Sequence, residues 1–318
     1  MKYRLAVALA SLTLAAPVHA QLAGDLIRGQ YGLSAGTQAP EGLVLTPFFY
    51  DYYSTTFVAP NGNTVQGTIG SLNVLAVPGL NLWYVSPLKV LGANYGAVLS
   101  MWGSSPTTDF PRLNVNQSTY GFGDMYLKPV ELGWHTPYVD AIAGFALWIP
   151  TGRYSPGANN NTGQGQWGYE FSAGATVWFD KGHHLNLSTQ AFYDIYSPKS
   201  GTIGPRNSQL QTGNIFTLMG GLGYQMLGGG LNIGIPYFVQ WKVTEDTLPL
   251  GIGPILPGIQ AARDWDVGLG AEADLFWSQT DGVTFRFVQS FSGSNTTNGS
   301  TYFLFYNHIF YFGSKQGS

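Results

Sequence analysis

Apolar and polar side chains alternate at every second position along most of the chain beyond residue 41. From Trp265 to Trp277 the odd positions are Trp265, Val267, Leu269, Ala271, Ala273, Leu275 and Trp277. The even positions around them include Asp264, Asp266, Gly268, Gly270, Glu272 and Asp274. Successive strand side chains point to opposite faces, so this segment has one apolar face and one small, acidic face. The pattern recurs from Trp167 to Phe179, from Leu231 to Trp241 and from Val139 to Ile149. A water-soluble β-sandwich also alternates, but its solvent face would carry many lysines and glutamates. Here the second face is Gly, Ser, Asn and a few acids, as expected of a lumen.

Reading this period along the chain predicts strands near 42–53, 72–85, 91–103, 120–133, 138–150, 166–179, 184–196, 213–226, 231–243, 263–277, 283–291 and 301–312. The first and fourth alternate less well, and their faces stay open. Long connections (Ser104–Thr119, Thr151–Gly165 and Thr244–Ala262 among them) take turns with short ones at Ser86–Leu88, Trp134–Pro137, Asp180–His183, Leu227–Gly230 and Ser278–Gly282. Outer-membrane barrels have an even number of antiparallel strands, long extracellular loops and short periplasmic turns. The expectation is therefore an all-β, transmembrane, antiparallel up-and-down β-barrel of about 12 strands over residues 42–312, with both termini periplasmic. Tyr306, His308, Phe310 and Phe312 alternate in the last strand, the usual insertion signal of such barrels. That implies outer-membrane lipid and the barrel-assembly machinery as partners, with 313–318 a C-terminal tail.

Composition sharpens this picture. Only 10% of residues are charged and 15% are aromatic, with 43 glycines and no cysteine. A small secreted domain would lean on disulfides, so closure of a sheet must hold this chain together instead. Lys2 and Arg4, the apolar run Leu5–Ala16, Pro17 and Val18-His19-Ala20 read as a signal peptide over 1–20, which makes Gln21 the mature start. The apolar run is too short for a membrane helix, which needs roughly 20 residues. Without Lys2 and Arg4 the chain carries 12 basic and 17 acidic side chains, a balance that argues against a nucleic-acid partner. Residues 21–41, with Gly, Pro and a few charges, form an N-terminal segment that is either periplasmic or folded into the lumen as a plug.

Charge on a lipid face is costly, so Glu170, Asp264, Asp266, Glu272 and Asp274 are expected to line the interior. An acidic lumen favours cations; alternatively these acids pair with Arg286 and Lys242 and close it. Asp124 and Lys128 share a strand face, with Glu131 beyond them on the other parity, as an ion pair at a constriction or a brace in the wall. Arg153 is a candidate extracellular gate, although Pro150 and Gly152 set a turn there. Ser290 and His308 fall on neighbouring strands and are the one suggestive catalytic pair, for a lipid-modifying hydrolase. His183-His184 lacks further ligands nearby, so no metal and no cofactor are expected. Gly121-Phe122-Gly123 opens a strand, which excludes a nucleotide loop.

Several blocks resemble the family labelled "Putative MetA-pathway of phenol degradation". They are Gly121-Phe122-Gly123-Asp124-Met125-Tyr126-Leu127-Lys128-Pro129, then Leu132-Gly133-Trp134, then Ile149-Pro150-Thr151-Gly152-Arg153-Tyr154-Ser155-Pro156-Gly157 and Trp167-Gly168-Tyr169-Glu170-Phe171. Weaker similarity runs from about Gly24 to Phe312. The resemblance implies an outer-membrane β-barrel that lets small hydrophobic or aromatic solutes pass by diffusion, and no enzyme. The 244–262 segment departs from the family pattern, and no particular solute is implied. A non-conducting structural or surface-binding barrel is the further alternative.

Overall fold

The computed structural model describes residues 24–65, 70–111, 115–158, 160–202, 209–247 and 263–312. The expected signal peptide over 1–20, the 313–318 tail and most of the 244–262 segment lie outside them. Twelve long strands follow in chain order: β1 (Gly42–Val58), β2 (Ser71–Val90), β3 (Ala93–Phe110), β4 (Met125–His135), β5 (Val139–Ile149), β6 (Gly168–Trp178), β7 (Leu185–Tyr196), β8 (Ile215–Met226), β9 (Leu231–Lys242), β10 (Trp265–Phe276), β11 (Asp281–Ser294) and β12 (Thr296–Tyr311). Each pairs antiparallel with its sequence neighbour, and β12 pairs with β1 from Gly42↔Tyr311 to Val58↔Thr296. The sheet therefore closes into a barrel and leaves no unpaired edge along its wall, the only way strands can cross lipid.

The period-two pattern sorts side chains as expected. Leu187, Leu222, Ile235, Leu269 and Phe285 point outwards and are exposed, whereas Glu170, Asp194, Asn186, Thr217 and Asp266 point inwards and are buried. An exterior of leucine, isoleucine and aromatic rings around a polar interior is the inverse of a soluble barrel, and it fits a hydrocarbon surrounding. Cross-strand ring pairs, Phe145–Phe171 at 5.1 Å and Phe287–Tyr302 at 5.1 Å, brace the exterior. No helix among the described residues is long and apolar enough to cross a membrane.

The rhythm of loops holds, with three departures. The second expected turn does not sit at Ser86–Leu88: β2 runs on to Val90, and Leu91 (φ 52°) with Gly92 (φ 80°) makes the two-residue hairpin turn. Two consecutive positive φ values are what the twist of a tight hairpin requires, and glycine supplies one of them without strain. The last long-loop hairpin is shorter than expected, because β11 and β12 meet at Asn295. Finally, β1, β2, β3 and β12 hold 17, 20, 18 and 16 residues against 11 or 12 in β4–β10. About 9–11 residues suffice to cross, so one side of the wall rises beyond the other at the long-loop end.

The fourth strand's faces, unclear from the pattern, are explained by a bulge. Register with β5 slips between Leu127 and Val130, at Pro129. Proline cannot donate to a ladder and is tolerated at such a slip. Lys128 and Glu131 therefore both turn inwards and Val130 turns outwards, although their spacing places Lys128 and Glu131 on opposite parities.

Residues 24–41 pack against the inward faces of the strands. Asp25 N–H donates to the Tyr196 hydroxyl near the long-loop end of β7 (3.2 Å), and Arg28 bonds Asp266 and Thr296 near the same end of β10 and β12. Further along, Leu33 N–H donates to Glu272 (3.2 Å), Gly36 N–H to Ser188 (2.8 Å), and the Thr37 hydroxyl to Asp140 (3.0 Å). Gln38 then reaches the Asn94 carbonyl (3.4 Å) at the short-turn end of β3. The segment thus follows the lumen from one end to the other before entering β1 at Gly42.

Candidate functional site

The inward face of β12 and β1–β5, together with the lumenal segment, encloses a cavity of about 130 Å³. Alternation places Phe48 on β1, Trp83 on β2, Trp102 on β3, Tyr126 on β4, Trp148 on β5, and Phe303 and Phe305 on β12 around it. Ile27, Gln30 and Tyr31 of the lumenal segment close the remaining side. The rings are packed: Tyr126 lies 4.6 Å from Trp148, Trp102 meets Trp148 edge-on at 6.0 Å, and Phe303 stacks on Phe305 at 5.6 Å. Offset and edge-to-face contacts of this kind favour an aromatic guest. A dry engineered cavity of about 150 Å³ takes benzene, so this one has room for a single ring.

One ion pair enters the cavity wall. Lys128 Nζ is 3.4 Å from Glu131 Oε2, and both side chains are buried. Glu131 also accepts from Trp83 Nε1 (2.8 Å) and Gln38 (3.3 Å), while the Lys128 ammonium sits about 6 Å above the Tyr31 and Tyr126 rings. The pair is thus satisfied on several sides, as a buried charge must be. Gln30 contributes the unsatisfied group here: its Oε1 is buried without a partner.

The remaining interior residues picked out from the sequence mostly brace the barrel. Asp124 does not pair with Lys128; it accepts from Gly152 N (2.9 Å) and Gln164 N (2.5 Å) and pins the long loop between β5 and β6. Arg153 lies in that loop, exposed, with Nε on the Asn160 carbonyl (2.8 Å) and Nη2 on Thr119 (2.7 Å). Glu170 accepts from Tyr126 (2.8 Å) and Trp148 (3.3 Å), behind the cavity wall. Lys242 bridges Asp264 (2.7 Å) and Asp246 (2.9 Å). Asp266 takes Arg28 and Ser290, and Asp274 takes Asn232 (3.0 Å) and Thr284 (2.6 Å). Arg286 holds Glu272 with two bonds, 2.6 and 2.8 Å, and donates to the carbonyls of Gly29 and Gln30.

The suggestive catalytic pair is not assembled. Ser290 donates to Asp266 (2.9 Å), whereas His308 pairs with Asp281 (2.7 Å) at the other end of the β11–β12 hairpin. His183 stacks on Trp178 and His184 pairs with Asp180 in their turn. Spacing missed Arg28, Asp140, Asp194 and Lys199, and it missed the inward aromatics altogether. Phe192 shares its row with Ser188, Gln190 and Asp194, a parity that marks an inward ring in the sequence itself.

At the long-loop end, Asp25 of the lumenal segment and Lys199 of the loop after β7 are among the groups that stand off their ordinary titration ranges. Desolvation pushes the Asp25 carboxyl up to about 8, with Asp124 adding to it and Lys199 and Gln166 opposing. Desolvation also brings the Lys199 ammonium down to about 8, against the pull of Asp25, Asp124 and Asp246.

The fold is shared with solved barrels of low sequence identity. The COG4313 outer membrane channel from Pseudomonas putida F1 superposes with a TM-score of 0.73 at 16% identity, covering 90% of this chain and 100% of that one. The translocator domain of the autotransporter NalP from Neisseria meningitidis gives 0.51 at 10% identity, covering 86% and 90%. No curated protein sequence matches the chain. The family described as "Putative MetA-pathway of phenol degradation" matches residues 54–305, well over half of the sequence, and the chain belongs to it.

Proposed function

We propose that this barrel is an outer-membrane channel for the passive uptake of small hydrophobic or aromatic compounds, with residues 24–41 as a plug that must shift for a solute to pass. The long loops face outwards, and β1 begins and β12 ends at the periplasmic side, as the loop lengths argue. The observation that carries the reading is the aromatic cavity of about 130 Å³ beside the plug. A site of this size and lining recognises a ring by dispersion and quadrupole contacts. Mixed polar and aromatic contacts hold the plug to the wall, so it can exchange protein partners for solvent as it moves. The Pseudomonas putida protein that shares the fold is an outer membrane channel, which agrees with this reading.

The test uses the full chain in planar bilayers and in cells lacking their own general porins. Expected are a measurable conductance and faster uptake of a small aromatic carbon source. The Trp102→Ala and Trp148→Ala variants should slow that uptake by several fold while the barrel still shows heat-modifiable gel migration. A folded protein with neither conductance nor uptake would defeat the proposal.

A further inference from the structure

Behind the aromatic cavity the lumen carries a charge arrangement that the barrel itself does not complete. Asp194 on β7 stands directly opposite Glu170 on β6 in the strand register. Like charges in that relation repel. Glu170 is held by Tyr126 and Trp148, the same two rings that line the cavity. Asp194 has no such support: it is fully buried and neither carboxyl oxygen has a hydrogen-bond partner. Ser172, next along the inward face from Glu170, is buried with its hydroxyl also unpartnered. From the plug, Asp25 adds a third carboxylate whose field reaches Asp194, and its buried Oδ2 is unpartnered.

The nearby cations are committed elsewhere. Lys128 bonds Glu131 and acts on Glu170 only from a distance, and Lys199 bonds the carbonyl and side-chain oxygens of Gln164 and acts on Asp25 only from a distance. Among the described residues no cation acts on Asp194. An unpaired carboxylate in a dry interior is costly to keep charged, and a bound positive group would offset that cost. Phe192 and Tyr196 flank Asp194 on its inward row, and the faces of aromatic rings attract cations.

We propose that the Glu170–Asp194 pair is a subsite for an ammonium group, so that the lumen selects small aromatic amines over neutral and anionic aromatics of the same size. The ring occupies the cavity beside Trp102 and Trp148, and the amine end reaches past Tyr126 and Trp148 to the two carboxylates. Leu26 of the plug shares one buried apolar cluster with Tyr126, Trp148 and Phe192, so the amine takes its place as the plug withdraws. The inference rests on the cavity being an aromatic solute site.

The experiment compares benzylammonium, benzyl alcohol and benzoate by isothermal titration against the purified full chain in detergent near neutral pH. Benzylammonium is expected to bind about tenfold more tightly than benzyl alcohol, and benzoate more weakly than either. Asp194→Asn should remove the preference while leaving benzyl alcohol binding unchanged, and Glu170→Gln should reduce it as a second check. If benzyl alcohol binds and benzylammonium gains nothing, the ammonium subsite is wrong and the aromatic cavity survives. If benzylammonium is preferred but Asp194→Asn leaves the preference intact, the site is misplaced. If no ligand binds, the aromatic reading itself falls and the subsite with it.

Discussion

Arg28 ties the proposed plug, residues 24–41, to the barrel through three acceptors. Its guanidinium bonds Asp266, Thr296 and the Thr297 carbonyl, linking residues about 240 and 270 positions apart in sequence. Planar guanidinium suits such a forked set of acceptors better than an ammonium would. Removing it leaves the Asp266 carboxylate with Ser290 alone, its second oxygen being already without a partner. Because Arg28 is about one-fifth exposed, some of that loss is screened by solvent. Arg28→Ala is expected to weaken plug docking by about 1–3 kcal/mol. Amide hydrogen exchange over residues 24–41 should then rise by roughly tenfold or more, with the strands unchanged. Unaltered exchange would show that Arg28 does not hold the plug. Gly36 marks a second tight point, since a Cβ there would lie 2.1 Å from the Ala175 carbonyl carbon, a backbone contact that cannot yield cheaply.

At the scale of the element, the bulge in β4 decides which chemistry meets the lumen. Strict alternation from Tyr126 through Lys128 would carry Val130 inwards and Glu131 into lipid. The slip at Pro129 reverses both and lets Glu131 meet Lys128. Val130 is the central residue of the eleven in β4 and is exposed on the outer face. Val130→Arg should therefore cost about 2–4 kcal/mol, the penalty of a basic side chain at the bilayer midplane, measured by reversible denaturant unfolding in lipid. A near-zero cost would mean that Val130 faces water and that the bulge is elsewhere. The same strand shows what was legible beforehand. Strand positions and the outward rows such as Trp265–Trp277 follow from period two, because each side chain's face depends only on its neighbours. A bulge inserts one residue and inverts that relation beyond it, and only the partner strand reveals the slip. The plug was open to two readings for a similar reason. Its contacts, Arg28 to Asp266 or Gly36 to Ser188, join distant parts of the chain and leave no local period. The cavity was hidden because inward rings such as Trp148 look, in sequence, like the aromatic girdle outside.

Across the whole molecule, the plug and barrel meet as two charged bodies whose fit depends on pH at the long-loop end. Asp25 faces Asp124, Lys199, Asp194 and the Tyr196 hydroxyl. Its carboxyl titrates near 8 when docked and near 3.8 when free in water. A group whose docked pKa is raised stabilises docking fully below its free value and loses that contribution by the time pH passes the docked value. Plug seating should therefore weaken as pH climbs from about 4 to about 8. Lys199 belongs to the barrel loop and not to the plug, so only Asp25 links plug seating to pH here. Seating is thus expected to be weakest above about pH 8. In planar bilayers the open fraction should rise from pH 5 to 8 and level off beyond it. Asp25→Asn should flatten that rise. An open fraction that is flat from pH 5 to 8 in the unaltered protein would rule out Asp25 as the group that couples proton binding to the seating of the plug.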